Sequence, residues 1–220
     1  MGRIADNYRR VRESIPEHVQ LVVAVKGHAP EEVGEVIEAG ARIIGENYVQ
    51  EAEAAIAALG AKARSAQWHL IGHLQRNKAA RALALFDVIQ SVDSMKLAAA
   101  LAARGQRPLP VYVEVNVAGE QSKSGVRPQQ VKALLEEMSG LQGLRVEGLM
   151  TMEPYLEDAE LARPYFRRMK ELFEALREEK YPNVDLKVLS MGMSNAYEVA
   201  IEEGSNMVRI GTAIMGPRQT

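Results

Sequence analysis

Cysteine is absent from this 220-residue chain, which excludes disulfides, thiolate metal sites and a cysteine nucleophile together. An excess of charge of one sign is absent too. The formal net charge is -2 with 25% charged residues, so composition points neither to disorder nor to a partner that is a polyanion. No window approaches the roughly 18 consecutive apolar residues of a membrane span. The opening MGRIADNYRRVRESIPE lacks the apolar core of a signal peptide, and the expected location is the cytoplasm. No Pro/Gly/Ser-rich linker, charge block or low-complexity segment marks a boundary, so residues 1–220 are expected to form one domain.

What is present is alternation. After an opening helix, short β-rich runs are predicted as strands at 21–25, 42–45, 68–71, 88–91, 111–117, 146–150, 186–190 and 207–210. Between them the apolar period lengthens to that of a helix, as in Val131, Leu134, Leu135 and Met138, or Tyr165, Phe166, Met169, Leu172, Phe173 and Leu176. The strands are mostly continuous in hydrophobicity, which suits burial on both faces. The expected fold is therefore α/β, a single (β/α)8 barrel of the TIM type with an extra N-terminal helix, in preference to an open doubly wound sheet. The charged run FRRMKELFEALREEK reads as the solvated side of an outer helix.

In such a barrel the strand-to-helix loops converge at the C-terminal ends of the strands, so candidate functional residues are sought there. They are Lys26 after the first strand, Glu46 and Asn47 after the second, His73 and Gln75 after the third and Asn116 after the fifth. Met150 and Thr151 follow the sixth, the segment SMGMSN the seventh, and RIGTA spans the eighth. Lys26 ends the apolar run LVVAV. An amine held among apolar neighbours favours its neutral form, and a neutral amine condenses with a carbonyl compound.

Ser190, Gly192 and Ser194 precede a helical run, where Gly192 permits close backbone approach and the hydroxyls either donate to a phosphate or cap the helix. Arg209 projects from the last strand, followed by Gly211 and Thr212, and phosphate sites in these barrels commonly use the loops after strands seven and eight. A buried guanidinium needs a partner: a glutamate in a structural role, or an acceptor nitrogen of a heteroaromatic ligand in a functional one.

Taken together, VAVK, GENYVQE, WHLIGHLQRNK, VNVAGEQSKSG, GLMTM, SMGMS and VRIGTAIMGPR resemble the pyridoxal phosphate homeostasis proteins, in order and over nearly the whole chain. The barrel of that family is similar to the N-terminal domain of bacterial alanine racemase. The resemblance implies pyridoxal 5'-phosphate bound as an internal aldimine to Lys26. It implies a phosphate held by Ser190, Met191, Gly192, Met193 and Ser194 with Gly211 and Thr212, Arg209 facing the pyridine nitrogen, and Asn47 on the cofactor wall. Two positions depart from the family pattern. Val25 and Gly27 flank the lysine where serine or threonine is usual, and Asn195 stands where an acidic residue is common.

An arginine opposite the pyridine nitrogen keeps that nitrogen unprotonated and weakens the ring as an electron sink. Racemisation also needs an acid/base group on each face of the substrate carbon. The racemases take the second from a tyrosine in a C-terminal β-domain, which is not expected here because the chain ends at Thr220. Tyr48, Tyr112, Tyr155 and Tyr197 are the possible substitutes, each more readily explained by packing. The expected function is thus a monomeric pyridoxal phosphate carrier serving vitamin B6 and amino-acid homeostasis and handing the cofactor to recipient apo-enzymes, without strong catalysis. A small amino-acid racemase is the alternative, and a Schiff-base aldolase a further one. His69 and His73 straddle a strand end rather than share a helical face, so no zinc pair is expected. The cluster Arg76, Lys78 and Arg81 lacks interleaved aromatics, so neither nucleic acid nor membrane is an expected partner.

Overall fold

The computed structural model describes residues 2–105, 107–120, 123–154 and 156–217. Eight parallel strands close into a barrel in chain order: β1 (Gln20–Ala24), β2 (Ile43–Glu46), β3 (Gln67–Leu70), β4 (Val88–Val92), β5 (Leu109–Glu114), β6 (Leu144–Met150), β7 (Val184–Ser190) and β8 (Met207–Ile210). Pairing of Val22 with Arg209 and of Val23 with Ile210 shuts the ring between β1 and β8. Around it lie α1 (Arg3–Ser14), α2 (Pro30–Glu38), α3 (Val49–Leu59), α4 (Ala79–Leu85), α5 (Met95–Ala102), α6 (Val131–Met138), α7 (Arg163–Arg177), α8 (Tyr197–Glu202) and α9 (Thr212–Met215). The TIM-type barrel and the extra N-terminal helix expected from the sequence are both present. Among the described residues, no helix is long and apolar enough to cross a membrane.

Alternating strand residues feed two cores. Leu21, Val23 and Val25 join the large layer between strands and helices, whereas Val22 belongs to a smaller cluster inside the barrel with Ile71, Val88, Tyr112, Met150 and Met207. Both faces of β1 are therefore dry, which is why its hydrophobic run is unbroken. Lys26 lies two residues beyond the end of β1, in the turn that follows the strand at the rim of the barrel.

The helices bury the stripes their period predicts. Val131, Leu134, Leu135 and Met138 of α6 are buried, as are Phe166, Met169, Phe173 and Leu176 of α7. The outer side of α7 carries Lys170–Glu174 and Arg177–Glu174 pairs at 2.6 and 2.8 Å, exposed contacts worth a few tenths of a kcal/mol each. Arg76 and Lys78 lie in a 3-10 turn leading into α4, and Arg81 pairs with Glu53 of α3. That basic cluster fastens one outer helix to its neighbour.

Strand β5 stops earlier than the run 111–117 suggests. Beyond Glu114 the chain bends so that Asn116 can organise the following loop, its side chain donating to Glu120 O at 2.8 Å and accepting from Glu120 N at 3.1 Å. Asn116 is thus a loop organiser at the rim of the barrel.

Candidate functional site

The loop after β1 turns at Gly27, whose φ of 72° lies in the left-handed region that glycine enters without steric cost. Its amide donates to the Glu51 carboxylate of α3 at 3.0 Å. The turn leaves the Lys26 ammonium 4.9 Å from the centroid of the Tyr48 ring, a cation–π contact. Tyr48 is 46% exposed, so it is not a packing residue as the sequence suggested. The departure from the family at residue 27 has a local meaning: glycine permits the turn that presents Lys26.

Asn47 precedes that tyrosine. Its backbone passes so close to Gly72 that a β-carbon at 72 would collide with the Asn47 carbonyl. Its amide donates to Glu46 Oε2 at 2.6 Å, and its side chain has no hydrogen bond within the described protein. Glu46 itself is buried and hydrogen-bonded to Glu51. Burial, together with the nearby Glu51 charge, pushes its pKa up to about 8, against the amides of Asn47 and Tyr48.

Across the barrel, Arg209 is 4% exposed and makes no ion pair among the described residues. A glutamate in direct contact, one of the two partners the sequence left open, is thus absent among the described residues. Nη1 donates to Ser190 Oγ at 2.8 Å and Nη2 to the Thr151 carbonyl at 2.7 Å. Burial works against its charge, while Glu153 and Glu114 nearby support it. Ser190 Oγ in turn donates to Gln90 Oε1 at 2.7 Å, so its single proton points down into the barrel. Met191 packs in the outer core and its amide bonds Met207 O at 3.1 Å. Neither Ser190 nor Met191 has a free donor for a phosphate, although both were read as part of the phosphate segment.

The rest of that segment does converge. Ser194 Oγ accepts from Gly211 N at 3.2 Å and from Ala213 N at 3.5 Å, so an oxygen already sits where two amides of the loop after β8 meet. A β-carbon at Gly211 would lie 3.2 Å from the Ala24 carbonyl, which places this point against the end of β1, two residues from Lys26. Gly192, with φ 97°, lets the backbone pass α8: a β-carbon there would stand 2.6 Å from that of Ala200. Its carbonyl accepts from Arg209 N at 3.0 Å. Thr212 opens α9 beside them, and Asn195 donates to the Leu156 carbonyl at 3.3 Å, tying down the loop that follows β6.

Sequence reasoning singled out Glu46 and missed two further carboxyl groups around this mouth. Beyond Glu46, Glu153 is fully buried with Oε1 accepting from Met193 N at 2.8 Å, while its Oε2 has no partner among the described residues. Glu114 closes β5, where burial and then the Asp93 charge push its pKa up to about 7, opposed by Arg209. A lone acid at the end of an apolar strand, as in VYVEV, was the available signal. The remaining candidates scatter. His69 is inside the barrel, and His73 is on an exposed loop 3.4 Å from Asp93. The hydroxyl of Tyr197 bonds Ser14 and Glu198 on the outer layer, and Tyr155 lies outside the described residues. The arrangement thus offers one amine, a cluster of amide and hydroxyl donors, and a buried guanidinium around one barrel mouth.

A family model described as alanine racemase, N-terminal domain, matches residues 1–219. The pyridoxal phosphate homeostasis protein of Aquifex aeolicus (strain VF5) is 43% identical over 203 residues, 91% of this chain and 87% of that protein. The protein of the same name from Escherichia coli (strain K12) is 36% identical over 240 residues, 99% and 98% of the two chains. PipY of Synechococcus elongatus PCC7942, solved with PLP bound, matches with a TM-score of 0.88 and 34% identity, covering 97% of this chain and all of that one, 100%. Alanine racemase from Corynebacterium glutamicum shares the fold at a TM-score of 0.78 and 18% identity, covering 96% of this chain and 59% of that one. The chain belongs to the alanine racemase N-terminal domain family and, within that fold, to the pyridoxal phosphate homeostasis proteins.

Proposed function

We propose that this protein holds pyridoxal 5'-phosphate on Lys26 and gives it up again, serving vitamin B6 and amino-acid homeostasis without strong catalysis of its own. The observation that carries this reading is the meeting, at one barrel mouth, of the turn that carries Lys26 with the Ser194, Gly211 and Ala213 donors and the buried Arg209. The oxygen of Ser194 resting on two amides supports the fit of a phosphate oxygen at that point. The names of the relatives support the cofactor.

Bound there, pyridoxal phosphate supplies an electrophilic aldehyde and a ring able to accept electrons. The Lys26 amine joins that aldehyde as a Schiff base with loss of water, a reversible bond that water or an incoming amine reopens. Ser194 and the amides of Gly211 and Ala213 hold the phosphate, and Asn47 offers its free amide to the cofactor wall. Arg209, which has only donors, faces the pyridine nitrogen and keeps the electron sink weak. Release to recipient apo-enzymes in the cytoplasm from a monomer completes the reading.

Reconstitution tests it directly. The protein incubated with pyridoxal phosphate should turn yellow, and borohydride should fix the label on the peptide containing Lys26. Lys26→Ala should remain colourless after desalting. Chiral analysis of D- and L-alanine incubations should show little exchange, and rapid exchange lost in Lys26→Ala would overturn the carrier reading in favour of a racemase.

A further inference from the structure

The opposite end of the barrel is not sealed. A cavity of about 670 Å³ opens among the N-terminal ends of the strands, lined by His69, Tyr112 and Val188 inside and by Arg107, Arg145 and Lys187 towards the rim. Barrel interiors of this kind are ordinarily filled by bulky apolar layers, and this end of the fold is usually a matter of stability. Here it contains one buried hydrogen-bonding group with nothing to bond, beside a hydroxyl without a protein partner. His69 is 1% exposed with Nε2 unpartnered among the described residues, and the Tyr112 hydroxyl makes no hydrogen bond within them. A buried donor such as His69 Nε2 costs free energy when left unsatisfied.

The hydrogen on His69 is assigned by the chain of bonds above it. Arginine only donates, so Ser190 accepts from Arg209 and passes its own proton to Gln90 Oε1. The Gln90 amide nitrogen then faces His69 Nδ1 at 2.8 Å and must donate to it. Nδ1 is therefore an acceptor and Nε2 carries the hydrogen. Burial lowers the His69 pKa to about 3, so the ring is neutral, and the group it offers is a single N–H donor. The two rings stand edge-on with centroids 6.5 Å apart, and the absence of a side chain at Gly148 makes the room: a β-carbon there would lie 3.0 Å from Tyr112 Cδ1.

At the rim, Arg145 is paired with Glu147 at 3.0 Å and Lys187 with Asp185, whereas Arg107 makes no ion pair among the described residues. The lining also carries the carboxylates Asp87 and Glu147, of which Glu147 is paired with Arg145, so one enclosed donor, His69 Nε2, and the Tyr112 hydroxyl lie behind Arg107, a cation without an ion pair, and together complement a small oxyanion. We propose that the lower mouth is a second binding site, for a small carboxylate or phosphate whose oxygens accept from His69 Nε2–H and the Tyr112 hydroxyl while Arg107 meets its charge. The site does not depend on the cofactor reading. Its back wall connects through Gln90 and Ser190 to Arg209, so occupancy is felt at the upper face through hydrogen bonds alone.

Long-range proton–nitrogen spectra of the imidazoles, recorded on the full chain with and without added pyridoxal phosphate, test this. The His69 ring should appear as the Nε2–H tautomer and shift saturably when formate, acetate or inorganic phosphate is added. Acetate and phosphate arms compared at equal ionic strength identify which oxyanion is preferred. Arg107→Ala, on the surface, and Tyr112→Phe, which keeps the ring, should each raise the dissociation constant by roughly tenfold. Sodium chloride should leave the ring unmoved. The proposal fails if none of the three anions produces a saturable shift, if chloride matches them, or if both variants bind as the parent does.

Discussion

Arg209 and Ser190 meet at 2.8 Å, guanidinium Nη1 to hydroxyl oxygen, on neighbouring strands β8 and β7. This bond orients everything beneath it, because the serine proton is forced onto Gln90. Ser190→Ala would leave both Nη1 and Gln90 Oε1 without partners in a dry site. The expected loss of stability is about 1–3 kcal/mol, the usual consequence of orphaning buried polar groups. Urea unfolding followed by circular dichroism measures it, and a midpoint equal to that of the parent would show that the network carries no stabilisation.

The turn that presents Lys26 should be equally sensitive. Gly27 has φ 72°, a conformation in which a β-carbon is strained, and its amide is anchored on Glu51. Gly27→Ala is expected to cost roughly 1–2 kcal/mol, and Gly27→Ser, which would introduce the hydroxyl usual in the family, should cost about the same. Differential scanning calorimetry of the two variants checks the stability. The yellow band of the reconstituted protein reports whether the lysine is still presented.

The barrel was readable because its strands are dry on both faces, so hydrophobic runs such as LVVAV stand out, and because α6 and α7 keep strict helical spacing. Lys26 was readable for the same reason, as a charge ending such a run. Ser190 and Met191 were harder. A motif read as a continuous phosphate segment alternates direction at the end of a strand, sending Ser190 inward to Gln90 and Met191 outward to the helices. Glu46 was readable as a strand-end residue, whereas the carboxyl groups at Glu114 and Glu153 were missed because burial and pairing across the chain set their surroundings, and neither has a short-range pattern. Gly148 acquires its role only from the Tyr112 ring beside it.

Glu46 gives the protein a defined response to pH. Its folded pKa is raised to about 8 from 4.5, so between these values the folded state binds a proton that the unfolded chain releases. The associated stability is fully present below pH 4.5 and is lost as pH rises through about 8. Glu114, raised to about 7, acts with the same sign. Glu46→Gln keeps an acceptor for Asn47 N and a donor towards Glu51 while removing the titration. Melting temperatures measured across this range should fall more steeply for the parent than for Glu46→Gln. Parallel curves would mean that Glu46 ionises as an ordinary carboxylate.

Glu153 makes the sharpest prediction about affinity. One oxygen holds the Met193 amide, inside the segment proposed to grip the phosphate, and the other has no partner among the described residues. A negative carboxylate at the edge of a dianion site disfavours the ligand, because like charges in a poorly hydrated space repel. Glu153→Gln preserves an acceptor for Met193 and removes the charge. Pyridoxal phosphate should then bind roughly three- to tenfold more tightly, with inorganic phosphate gaining in parallel as a competitor. The Arg209 guanidinium loses a supporting charge in the same variant, so a modest drop in melting temperature should accompany the tighter binding. Absorbance titrations on parent and variant decide the matter: weaker binding in Glu153→Gln would mean that the carboxylate orients the donors instead of opposing the ligand.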